Sequence, residues 1–131
     1  MDRKEVAVEY FKNGYNCCQA VACAYADKVD SGEAVLFKAG EGFGSGMGTA
    51  NGVCGALSGA VMLAGMKNSD GSGATKSETR KMAATMQKKF VERAKALICR
   101  DIKTGNNGGA FTSCEDCVRI AAEIVEEELG L

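Results

Sequence analysis

The chain has 131 residues, with 16 basic and 17 acidic side chains and a net charge of −1. That is one domain's worth of sequence, and its charge balance excludes the broad positive field that holds nucleic acid. It has no histidine, which removes imidazole acid–base catalysis, Ser–His and Cys–His nucleophile pairs, mixed Cys/His zinc sites and His-ligated haem; seven cysteines leave the chemistry to sulfur.

Apolar periodicity is helical almost throughout. Val6, Tyr10 and Phe11 predict a helix over Arg3–Lys12, ended by Asn13-Gly14. Asn16 is a good N-cap for a helix from Cys17 to about Val29. Ser31 caps a short third helix, Glu33–Ala39. Gly40, Gly42, Gly44, Gly46, Gly48 and Gly52 follow. Their spacing matches neither GxxxxGK[ST] nor GxGxxG, and no strand precedes them, so no phosphate loop is expected. The passage reads instead as a turn-rich connector whose backbone passes close to something.

Val53–Met66 is apolar nearly all round and is the expected central buried helix. Gly55 and Gly59, and Ala56 and Ala60, lie four apart and make flat faces for close backbone approach. Asn68–Ser77 is a loop. A long amphipathic helix is expected from about Lys76 to Cys99, with Met82, Met86, Phe90, Ala94 and Leu97 as its apolar stripe. Thr104–Gly109 is a second loop. Ser113 or Thr112 caps the last helix, which carries Glu115 and Asp116 in its first turn and ends near Gly130. No strand signal competes. The expected fold is all-α: a compact bundle of about five helices around a buried Gly/Ala-rich central helix, forming a single domain over residues 1–131.

The charged N-terminus lacks the apolar core of a signal peptide, and the longest apolar run, Val53–Met66, is too short to span a bilayer. A cytoplasmic protein is expected. In a reducing compartment, clustered cysteines are more often metal ligands or redox groups than disulfides.

On a helical wheel Cys17 faces the core, Cys18 lies at the edge of the core stripe, and Cys23 falls on the polar side with Gln19 and Asp27. Cys114 and Cys117 flank the stripe of Val118, Ala121, Ile124 and Val125, and both point inward. Cys99, if still helical, lies opposite the long helix's stripe. Cys17, Cys54 and Cys114 each fall at a helix N-terminus, where the dipole stabilises a thiolate, the form that ligates metals and attacks disulfides. Cys114-Glu115-Asp116-Cys117 is a CxxC without a surrounding βαβ pattern, so a thioredoxin-like fold is not expected.

Four segments resemble a known family. Gly14-Tyr15-Asn16-Cys17-Cys18-Gln19-Ala20-Val21 resembles its first cysteine motif. Phe43-Gly44-Ser45-Gly46-Met47-Gly48 followed by Val53-Cys54-Gly55-Ala56-Leu57-Ser58-Gly59-Ala60 resembles its signature segment. Ile98-Cys99-Arg100 resembles the third motif, and Cys114 with Val118, Ala121 and Glu123-Ile124-Val125-Glu126-Glu127 resembles the fourth. The family is the bacterial and archaeal redox-active proteins named for the pattern C, GCAxxG, C, C. The resemblance implies four functional cysteines, Cys17, Cys54, Cys99 and Cys114, and places Cys18, Cys23 and Cys117 outside the set. The family pattern tends to carry an apolar or aromatic residue at 117. This departure leaves open that Cys117 replaces or supplements Cys114. Similar domains adjoin haem modules in split-Soret-type cytochromes, which implies an iron–sulfur role.

The leading expectation is a four-cysteine site holding an iron–sulfur cluster, [2Fe–2S] before others, for electron transfer or redox sensing. It would work with a redox partner protein, and with neither nucleic acid nor membrane. The small-residue faces and off-stripe Cys99 are compatible with a homodimer. The alternatives are a metal-free thiol–disulfide oxidoreductase or relay, with Cys99 or the Cys114/Cys117 pair resolving, and a structural zinc module.

Overall fold

Capping side chains set several helix starts in the computed structural model, which describes residues 1–131. Asp2 accepts from the Lys4 amide and opens α1 (Arg3–Lys12). Asn16 and Gln19 form a reciprocal capping box at the start of α2 (Cys17–Ala24). Next come α3 (Glu33–Gly40), α4 (Gly55–Asn68), α5 (Lys76–Ala94) and α6 (Cys99–Thr104). Ser113 accepts from the Asp116 amide and opens α7 (Cys114–Leu129). The fold is all-α. No strand forms, and extended pairing is confined to isolated bridges at Val53–Ile98 and Asn106–Gly109. No helix is long and apolar enough to cross a membrane.

One apolar cluster of 28 buried residues forms the core. The expected central helix is α4, packed against α2, α5 and α7. Its glycines bring backbones together: a Cβ on Gly59 would lie 2.6 Å from the Cys18 carbonyl oxygen, so α2 crosses α4 where no larger residue fits. The last helix contributes Val118, Ala121, Ala122, Ile124 and Val125, all fully buried.

Three sequence expectations change. First, α2 ends at Ala24 and gives way to a 3-10 turn, Ala26–Val29, closed by left-handed Asp30. Second, α2 has no polar side. Cys23 and Gln19 are both buried, because α3 covers that face and the Phe37 carbonyl accepts from Gln19 Nε2 at 2.9 Å. Third, the long helix stops at Ala94, with Lys95 left-handed at φ 80° and its amide bonded to the Val91 carbonyl. Cys99 therefore starts a separate helix, α6, instead of ending the long one.

Candidate functional site

The helix starts that carry the cysteines are brought together by hydrogen bonds of their neighbours, some backbone and some side-chain. The segments 50–54 and 97–100 pair side by side. The Cys54 amide donates to the Leu97 carbonyl at 3.0 Å, and the Cys99 and Arg100 amides donate to the Gly52 and Ala50 carbonyls at 2.9 Å. This bridge sets the starts of α4 and α6 next to each other. Asn16 Nδ2 donates to the Gly40 and Glu41 carbonyls, at 3.2 and 3.1 Å, and ties the start of α2 to the glycine-rich passage. Thr112 Oγ1 donates to the Ala94 carbonyl at 2.9 Å, and the Phe111 amide to the Ile102 carbonyl at 2.8 Å. Those two bonds bring the start of α7 to the same place.

The result is one cavity of about 180 Å³ with Cys17, Cys54, Cys99, Cys114 and Cys117 on its wall. The four sequence-predicted cysteines meet there, and each stands at a helix start: Cys54 is the N-cap of α4, and Cys17, Cys99 and Cys114 are the first residues of α2, α6 and α7. Four helix N-termini thus direct their partial positive charge toward the sulfurs. Cys54, Cys99 and Cys117 are buried, while Cys17 and Cys114 are half-buried.

The glycine-rich passage closes one side of the cavity. Ser45, Gly46, Met47, Gly48 and Ala50 all have positive φ, between 55° and 83°. That left-handed run coils the chain tightly enough to put Gly46 on the cavity wall against Cys99. The close approach expected of this connector is therefore to a cysteine of the site.

In each of two sulfur pairs the partners have opposite acid–base character. The Cys17 thiol beside Cys114 stabilises the Cys114 thiolate, and the Lys103 ammonium adds to this against the cost of burial, so Cys114 is brought down to about 6. Cys17 is driven up by the same pairing and by burial. Cys54 is lowered by the Cys117 thiol, against burial, with further help from the Ala56 and Leu57 amides of its own helix start. Cys117 is driven up by Cys54 and by burial. Burial disfavours the charge of Lys103, but the sulfurs of Cys99, Cys114 and Cys17 outweigh it and raise its pKa. Lys103 lines the cavity and forms no ion pair with any carboxylate. All seven cysteines are free thiols.

The remaining two cysteines lie off the cavity. Cys18 is fully buried with its sulfur 3.4 Å from Met62 Sδ, and burial pushes it up to about 12. Cys23 is buried with its thiol 3.6 Å from the Glu33 carbonyl oxygen, and burial pushes it up to about 11. Both are packing residues.

The fit to a metal group follows from the donors. The wall carries five thiols and no carboxylate, and the chain has no histidine, a donor set that suits zinc, copper(I) or an iron–sulfur cluster. No three of the sulfurs stand in the arrangement of a single-ion site, whose bonds would be about 2.3 Å for zinc. The cavity they share with Phe11, Gly46, Ile102 and Lys103 holds several waters' worth of space. Five thiols on one wall are donors enough for a four-thiolate zinc ion or for a cluster of either common type.

Sequence reading does not bring Lys103 to the site, and it leaves Cys117 open as a replacement or supplement for Cys114. Lys103 follows Cys99 by four, a spacing that shares a helix face only once α6 is recognised as a helix. Cys117 was visible as an inward-facing member of the CxxC, but its place on the same wall as Cys54 was not.

No curated protein and no solved structure matches the chain. The model of the family described as "Putative redox-active protein (C_GCAxxG_C_C)" matches residues 15–128, a span that takes in all five cysteines of the cavity. The chain belongs to this C_GCAxxG_C_C family of redox-active proteins.

Proposed function

We propose that Cys17, Cys54, Cys99 and Cys114 hold an iron–sulfur cluster, [2Fe–2S] before [4Fe–4S], and that the protein works in electron transfer or redox sensing in the cytoplasm. The observation that carries this reading is the shared cavity: five thiols from four helices on one wall. When bound, the cluster accepts and gives up single electrons. The chain supplies everything else. The four sulfurs anchor it at helix starts, whose amides offset negative charge. Lys103 adds a full positive charge beside Cys99, Cys114 and Cys17. Gly46 and Gly55, lacking side chains, let backbone approach the wall closely.

Protein purified anaerobically is expected to be brown, with visible charge-transfer absorption and about two irons and two sulfides per chain. A colourless preparation with one zinc per chain would replace this reading with a structural zinc site.

A second reading rests on Cys114. Its depressed pKa beside the Cys17 thiol is what a nucleophilic thiolate with a resolving partner requires. A colourless, metal-free protein that forms a Cys17–Cys114 disulfide with an added disulfide oxidant would favour it.

A further inference from the structure

Four thiolates complete a cluster of either common type, yet five cysteines line this cavity. Cys117 is not a core filler of the kind Cys18 and Cys23 are. Those two turn their sulfurs to a methionine and a backbone carbonyl away from the cavity. Cys117 instead lies on the cavity wall with Cys54, Cys114 and Cys17, all three close enough to act on it electrostatically. Cys114 and Cys117 lie one turn apart on α7, a rise of about 4.5 Å. Cys114 meets Cys17 at the half-buried side of the cavity, and Cys117 meets Cys54 at its buried side.

We propose that Cys114 and Cys117 are interchangeable as the fourth ligand, either one completing the set begun by Cys17, Cys54 and Cys99. The inference rests on the cluster reading above. Either choice draws its sulfurs from the same four helices, α2, α4, α6 and α7, so no element has to be recruited or released. The two sets differ in surroundings. The set with Cys114 has the Lys103 cation beside its fourth sulfur, and the set with Cys117 has a fourth sulfur that is only 3% exposed. In such a site, loss of one α7 thiol by oxidation or substitution leaves a complete ligand set.

The test is anaerobic reconstitution with ferrous iron and sulfide of the full chain, its Cys114→Ala and Cys117→Ala variants, and the double variant. Bound iron and sulfide, visible absorption and visible circular dichroism are read, and far-ultraviolet dichroism reports folding. Each single variant is expected to keep at least about half of the wild-type iron, and the double variant about a tenth or less. The two single variants are expected to differ in visible dichroism, because their fourth ligands occupy different surroundings. Where an alanine variant loses helicity, the corresponding serine variant replaces it. A folded Cys114→Ala or Cys117→Ala variant as empty as the double one overturns the inference and leaves the cluster reading standing. A double variant that keeps its iron also overturns it. Wild-type protein that takes up no iron overturns the cluster reading itself.

Discussion

Gly46 abuts Cys99 so closely that a Cβ on the glycine would sit 2.5 Å from the cysteine Cβ and 2.9 Å from the Gly52 carbonyl oxygen. Gly46 also has φ +63°. Gly46→Ala therefore combines overpacking with left-handed strain and is expected to cost about 2–5 kcal/mol in urea unfolding. Gly48 shares the left-handed backbone, at φ +83°, but has nothing within 4 Å of its missing Cβ. Gly48→Ala is expected to cost only about 1–2 kcal/mol. Equal costs for the two would mean that the contact with Cys99 is unimportant.

In metal-free, reduced protein, iodoacetamide is expected to modify Cys114 first. Its pKa lies near 6, below the ordinary thiol value of 9.0, so its thiolate is populated at neutral pH, whereas Cys17 beside it is held as the thiol. The rate at Cys114 should climb through pH 6 and level off near pH 7. Peptide mapping that finds Cys17 modified first, or a rate still climbing at pH 9, would sink this assignment.

Lys103 helps to hold the Cys114 thiolate, so Lys103→Ala is expected to shift that alkylation profile upward by about half to one pH unit. Lys103→Arg keeps the charge and should leave the profile nearly in place. A purely structural lysine would change melting temperature in both variants and the alkylation profile in neither.

Cys23→Ser places a hydroxyl in a site only 4% exposed, with the Glu33 carbonyl as its acceptor. A stability loss of about 0.5–2 kcal/mol is expected, with reconstituted iron content unchanged, because Cys23 is not on the cavity wall. Loss of iron in a folded Cys23→Ser variant would contradict that separation.

Glu127 joins α7 to α5: both its oxygens accept from the Arg93 guanidinium, at 3.0 and 2.7 Å, and Lys89 donates to one of them at 3.0 Å. Arg93 first and then Lys89 hold its carboxyl at about 2, below the usual 4.5. The stabilisation is fully present above about pH 4.5 and is lost as pH falls through about 2. With the side chain 42% exposed, it amounts to less than about 1 kcal/mol. Glu127→Gln should accordingly flatten the acid side of the stability profile; a profile identical to wild type would show that this pair contributes nothing.

The sequence by itself determined the helical fold class and the place of most helices, because periodicity and capping act over three or four residues. Asn16 with Gln19 and Ser113 with the Asp116 amide place Cys17 and Cys114 at helix starts through such short-range bonds. The lack of histidine likewise confined the chemistry to sulfur. The break after Ala94 left no comparable signal, since Lys95 adopts a left-handed conformation that favours glycine. Cys23 misled the helical wheel because a wheel shows a helix's own faces and not the helix that later covers them.

Only the tertiary structure decided that the cysteines meet. The pairing of segments 50–54 and 97–100 joins backbone groups more than forty positions apart, and backbone amides and carbonyls carry no residue code. That pairing makes Cys99 a helix start beside Cys54 and lets Gly46 close on it. It also opens the cavity onto which α7 presents Cys117 together with Cys114. Local rules placed sulfurs at helix ends; long-range packing, which depends on what every other segment buries, brought those ends to one point.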